Sequence, residues 1–191
     1  MQIQPPNVVI QPGPAGGAVF PTVGVTLTQL VFWTNKDTEA HWPVSPDGAF
    51  KISKAIQPGK TSNTQAPGGS VTKTLAQGEV YTINYTCKIH PGETGILEIV
   101  NDFYAPNEQI SIQRNKKNAI PATALITGGK PSYTFRVEYS ELPTGIAVTD
   151  GGVAGPQVTG STTLPGTYLL RVTIQDALSN VLTDTFQITI I

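Results

Sequence analysis

The strongest constraint on the fold is a recurring pattern. Short runs alternate apolar with polar residues, and each run ends at Gly, Pro, Asn or Asp. Residues 79–87, EVYTINYTC, put Tyr81, Ile83, Tyr85 and Cys87 on one face and Val80, Thr82, Asn84 and Thr86 on the other. Side chains alternate across a strand, so a period of two reads as a strand with one buried face. Residues 23–33 place Val23, Val25, Leu27, Val31 and Trp33 on one face in the same way. Residues 166–175 set Tyr168, Leu170, Val172 and Ile174 against Leu169, Arg171, Thr173 and Gln175, and Phe186, Ile188 and Ile190 extend the pattern. Shorter strands are expected at 7–11, 49–53, 70–75, 95–100, 109–113, 122–127 and 133–139. Between them stand turn sequences such as Pro46-Asp47-Gly48 and Gln57-Pro58-Gly59-Lys60. No ten-residue stretch carries a 3.6-residue period. The 19 Gly and 16 Pro of 191 residues suit an all-β chain of strands and turns.

The segment Asn101-Asp102-Phe103-Tyr104-Ala105-Pro106-Asn107 reads as a linker. Beyond it His, Cys, Met and Trp are absent. Two all-β domains are therefore expected, residues 1–105 and 106–191, the second a sandwich of closely spaced strands. No run of 18 apolar residues occurs, so no membrane-spanning helix is expected. A net charge of -1, with only 13% charged residues, argues against nucleic acid or an anionic membrane surface as partner. The opening MQIQPPNVVI lacks the basic start and apolar core of a secretion signal.

Few residues are available for chemistry. The single cysteine, Cys87, excludes an intrachain disulfide, and the only histidines are His41 and His90. No G-x-S-x-G elbow, phosphate loop or dinucleotide fingerprint is present. The informative segment is Cys87-Lys88-Ile89-His90-Pro91-Gly92-Glu93-Thr94-Gly95. Cys87 ends a strand on its inward face, and His90 follows in a turn that Pro91-Gly92 tightens. Thiolate and imidazole so placed make half of a mononuclear metal site. One thiolate with two imidazoles suits copper, with zinc as the common competitor. The second imidazole can only be His41, after the strand-like residues 30–34 and the polar loop 35–40. Taken alone, Cys87 also reads as a small buried apolar residue.

Residues 5–101 resemble the cupredoxins, the plastocyanin- and amicyanin-like blue-copper proteins. Their C-x-x-H-P-G-M-x-G ligand loop before a final strand corresponds to CKIHPGETG before ILEIV. Their first histidine follows a V-x-W-x-N-like strand, here Val31-Phe32-Trp33-Thr34-Asn35, and then comes His41. The resemblance implies a Greek-key β-sandwich holding one copper ion through His41, Cys87 and His90. It departs from the pattern at Glu93, which stands where the family has its axial Met. It departs again at Trp42, where a small polar residue usually ties the two ligand loops together. Glu93 is then either a hard anionic ligand that favours Cu(II) or a solvated turn residue. Red-copper relatives of the cupredoxins offer a precedent for a Cys, two-His, Glu ligand set.

Residues 107–191 resemble bacterial immunoglobulin-like, cadherin-like repeats. The matching motifs are GGKPSYTF (128–135), LPTGI (142–146), GTY (166–168) and VTIQD (172–176). Acidic clusters for calcium are missing; Asp150, Asp176 and Asp184 read as turn or strand-end residues, and residues 114–118 as a solvated turn. The resemblances imply an exported electron carrier, periplasmic or extracellular with its signal removed. They also imply an unidentified redox partner protein that docks at His90, on an uncharged rim of Pro43, Val44, Pro91 and Gly92. Two alternatives stay open: a copper site with an open position for a small molecule or redox catalysis, and an adhesion protein with a vestigial site.

Overall fold

The computed structural model describes residues 6–105, 109–116, 118–121, 126–149 and 157–191. The fold is all-β, and the chain divides after Asp102 into two compact units. The only helical element among the described residues is a single 3-10 turn, Pro67–Ser70.

In the first unit, β1 (Asn7–Pro12) lies between β2 (Ala18–Val19) and β4 (Phe32–Asn35), parallel to β4. A second sheet runs in the order β3 (Thr22–Thr26), β7 (Thr94–Val100), β6 (Tyr81–Cys87), β5 (Pro43–Val44). The inward faces share one core: Val8, Ile10 and Trp33 from the first sheet, Val25, Ile83, Tyr85, Leu97 and Ile99 from the second. Each apolar side chain so buried stabilises the sandwich by about 1.5–3 kcal/mol.

The alternating run at 23–33 is two strands rather than one. β3 ends at Thr26, whose amide donates to the Gln29 side chain at 3.1 Å. The amide and hydroxyl of Thr28 both donate to Asp102 Oδ1, each at 2.9 Å. The chain turns there and crosses to the other sheet as β4. The period of two survives because Val25 and Trp33 enter the same core from opposite sheets. Residues 49–53 make only a single bridge, Val44 to Lys51, although Phe50 and Ile52 are buried. Residues 71–75 are irregular, with Leu75 buried.

The second unit comprises β8 (Gln109–Ile112), β9 (Asn118–Pro121), β10 (Thr134–Ser140), β11 (Ile146–Thr149), β12 (Gln157–Gly160), β13 (Gly166–Gln175) and β14 (Val181–Ile190). They form sheets β10-β13-β14-β8 and β11-β12-β9. Ile110, Ile112, Val158, Leu170, Val172, Ile174, Leu182, Phe186, Ile188 and Ile190 make its core. Strands β9, β11 and β12 have no counterpart in the sequence reading. The strand expected at 122–127 falls largely on residues 122–125, outside the described residues, as does Asp150. Asp176 is buried and accepts the amides of Lys130, Leu178 and Asn180 at 2.8–2.9 Å. It is therefore a satisfied turn residue.

Candidate metal centre

β6 delivers Cys87 to the core because its period of two buries Ile83, Tyr85 and Cys87 together. Gly95 on β7 makes room for this face. A Cβ there would lie 2.4 Å from Tyr85 Cζ, so a side chain at 95 and the Tyr85 ring exclude each other. The Tyr85 hydroxyl donates to Pro21 O at 3.0 Å, and burial raises its pKa above the ordinary tyrosine value.

The segment after Cys87 folds back on it. The Glu93 amide donates to His90 O, and the Cys87 amide to Glu93 O, both at 2.9 Å. The Thr86 hydroxyl donates to Glu93 O at 3.0 Å. These bonds return His90 and Glu93 to the thiol.

His41 arrives from the opposite loop. Buried Asn35 at the end of β4 organises that loop, donating to Glu39 O at 2.7 Å and Ile56 O at 2.9 Å and accepting the Asp37 amide at 2.9 Å. Backbone bonds between His41 and Ile56 then fix the histidine, which is fully buried under the edge of Phe20. Trp42 does not leave the two ligand loops untied. Its amide donates to Cys87 Sγ at 3.3 Å, its carbonyl accepts the Lys88 amide, and its indole donates to Ile52 O. The main chain supplies what a small polar side chain at 42 was expected to supply.

The structure thus brings together all four side chains that the sequence singles out, His41, Cys87, His90 and Glu93, with their donor atoms within 4.8 Å of one another. Cys87 Sγ is 3.8 Å from His41 Nδ1 and 3.7 Å from His90 Nδ1, and the two nitrogens are 3.3 Å apart. Glu93 Oε2 lies 2.9 Å from His41 Nδ1 and 3.4 Å from His90 Nδ1. Bonds of about 2.0–2.1 Å to nitrogen and about 2.3 Å to sulfur place tetrahedral donors about 3.3 Å (N–N) and about 3.6 Å (N–S) apart. The cluster matches those spacings, with the carboxylate drawn closer to His41.

The protonation pattern sharpens the fit. His41 Nε2 faces Asp37 Oδ2 at 2.9 Å. A carboxylate only accepts, so Nε2 carries a proton on that side and the ring turns Nδ1 inward, toward the cluster. The His41 ring, and then the Thr38 amide, hold the Asp37 carboxyl below the usual carboxylate range. Glu93 Oε1 accepts the Ala18 amide at 2.7 Å, but Oε2 is buried without a hydrogen bond. Two imidazole nitrogens, the cysteine sulfur and a carboxylate oxygen converge on one point, where a single cation would meet all four.

Asp37, Glu39 and the Ala18 amide were not singled out from the sequence. The signal for Asp37 was its place four residues before His41 in a loop headed by Asn35. Among the expected rim residues, Pro91 and Gly92 are exposed, but Pro43 is buried on β5, paired with Cys87. Exposed Ile89 stands beside His90 in the chain instead.

No family model matches the chain, and no curated protein is similar to it in sequence. Among solved structures there are weak matches. A purple cupredoxin from Nitrosopumilus maritimus is 20% identical over 49% of this chain and 97% of its own, with a TM-score of 0.34. The human mucin-like protocadherin EC1-2 fragment is 11% identical over 100% of this chain and 97% of its own, with a TM-score of 0.34. An α-galactosidase candidate from Bacteroides fragilis is 21% identical over 47% of this chain, which spans 17% of that protein's length, with a TM-score of 0.35. No helix among the described residues is long and apolar enough to cross a membrane.

Proposed function

We propose that His41, Cys87, His90 and Glu93 hold one copper ion and that the protein carries single electrons outside the cytoplasm. The observation that supports this best is the buried Glu93 Oε2, which has no hydrogen bond and converges with His41 Nδ1, His90 Nδ1 and Cys87 Sγ. One thiolate with two imidazoles is a copper-favouring donor set, and the added carboxylate favours Cu(II) over Cu(I).

Copper bound there would supply a one-electron couple. The chain's part is to hold the donors still. Asp37 holds His41, the Trp42 amide holds the sulfur, and the Ala18 amide holds Glu93. None of these bonds involves the ion, so the donors keep their places in both oxidation states. His90, with a third of its side chain exposed, brings its ring edge to solvent beside Ile89, Pro91 and Gly92. This is where a redox partner protein would dock. On this reading residues 1–105 are the copper domain, and residues 106–191 a docking or spacer module.

Copper titration of the whole protein tests the reading. Uptake should saturate at one equivalent with a thiolate-to-copper charge-transfer band, and Cys87→Ser should abolish that band. An absent band, or one unchanged in Cys87→Ser, refutes it. Tight zinc uptake without copper uptake would assign the site to zinc.

A further inference from the structure

The two imidazoles share a feature that the four donors do not explain. Each turns Nδ1 into the cluster and Nε2 toward a carboxylate: His41 to Asp37 at 2.9 Å, His90 to Glu39 at 3.3 Å. Both carboxylates come from one loop, two residues apart, and buried Asn35 clamps that loop at both places. It accepts the Asp37 amide and donates to the Glu39 carbonyl. One buried amide thereby sets the backbone of both acidic residues.

We propose that Asp37 is a positioning residue that holds the His41 imidazole through Nε2, that Glu39 adds a negative charge behind His90, and that together they bias the centre toward divalent ions over Cu(I). The inference rests on the metal-site reading above. A carboxylate behind a ligating imidazole fixes its tautomer and makes it a stronger donor. With Cys87 and Glu93 as anionic donors, the site gathers four acidic groups around one ion. Every added negative charge stabilises a dication more than a monocation. Asp37 has the larger effect, because its side chain is 9% exposed against 70% for Glu39, whose charge water and salt screen.

The test uses the full-length chain and its Asp37→Asn and Glu39→Gln variants. Affinities for Cu(II) and Cu(I) are measured by chelator competition, and the reduction potential by redox titration. Asp37→Asn keeps the shape and removes the charge. It should weaken Cu(II) binding by about 10- to 100-fold. Cu(I) binding should weaken less, and each tenfold change in the ratio raises the potential by about 59 mV. Glu39→Gln should shift the ratio in the same direction by a smaller factor that shrinks as salt is added. Equal weakening of both oxidation states, or no change in either variant, overturns the proposal. If Asp37→Asn does not fold, the exposed Glu39 decides: an unchanged ratio in Glu39→Gln at low salt overturns it. Wild-type protein that takes up no copper overturns the metal site and this inference together. Wild-type protein that binds copper while the variants match it overturns this inference alone.

Discussion

Replacing Glu93 with Gln should strengthen the metal-free protein and weaken its response to copper. Oε1 already accepts the Ala18 amide, and a glutamine carbonyl can keep that bond. Its NH2 group then takes the place of Oε2, 2.9 Å from His41 Nδ1. A buried acceptor without a hydrogen bond becomes a donor beside an imidazole nitrogen. Relieving a buried unsatisfied polar group is worth about 1–3 kcal/mol. The metal-free variant should therefore unfold at higher denaturant by that amount. With copper the order reverses. A ligand at one hundred times its Kd stabilises the native state by about 2.7 kcal/mol, and the wild type, with the stronger donor, should gain more of this than the variant. Both tryptophans, Trp33 and Trp42, lie in the first unit, so their fluorescence follows that unit alone during denaturant unfolding. A metal-free variant less stable than wild type would refute the argument. So would copper stabilisation of the two proteins by equal amounts, since Oε2 would then serve no cation.

Three further outcomes are expected. Glu93→Met should raise the copper reduction potential: a unit charge 4 Å from the ion at an effective dielectric of 20 is worth about 4 kcal/mol. That is close to three powers of ten, or about 170 mV for one electron, and redox titration showing no rise would remove Glu93 from the ligand set. Gly95→Ala should cost about 1–3 kcal/mol by overpacking, because the new Cβ would lie 2.4 Å from Tyr85 Cζ; the unfolding midpoint measures it. The Asp47 carboxyl is held below the usual range by the Ser45 hydroxyl and then the Ala49 amide. Its share of stability is complete above the unfolded value of about 3.9 and is lost as pH falls through the lower folded value. Asp47→Asn should therefore flatten the stability profile below about pH 4, as read by denaturant unfolding at a series of pH values.

The elements that were legible in the sequence are those where local pattern and burial agree. Strand β6 alternates without interruption, so the direction of Cys87 followed from counting residues from Tyr81. Strands β13 and β14 are ten residues each and alternate throughout. The 23–33 run misled because a β-sandwich buries both sheets in one core. A change of sheet at 27–31 left no break in the period. Strands β11 and β12 were missed for another reason. Each is only four residues long, too short for a period of two to stand out. Their approach depends on Gly145 and Gly160, where a Cβ would lie about 2 Å from a facing carbonyl (2.2 Å from Ser161 O and 2.0 Å from Gly145 O).

The same division runs through the candidate site. Residue types near Cys87 picked out the side chains that converge, because so few in the chain can bind a soft metal. The groups that orient those donors were not legible, since three of them act from elsewhere in the sequence or through the main chain. The Ala18 amide reaches Glu93 across 75 positions, the Trp42 amide reaches Cys87 across 45, and the Asp37 carboxylate meets His41 only after Asn35 folds the loop. The outer atom of Glu93 is held by the protein, while its inner oxygen, among the converging donors, has no hydrogen bond. The convergence of donor atoms on one point, while the surrounding main chain holds them in place, is what a preorganised cation site requires. It is also why the metal-free protein should gain stability when the carboxylate is neutralised, and why the loaded protein should lose it.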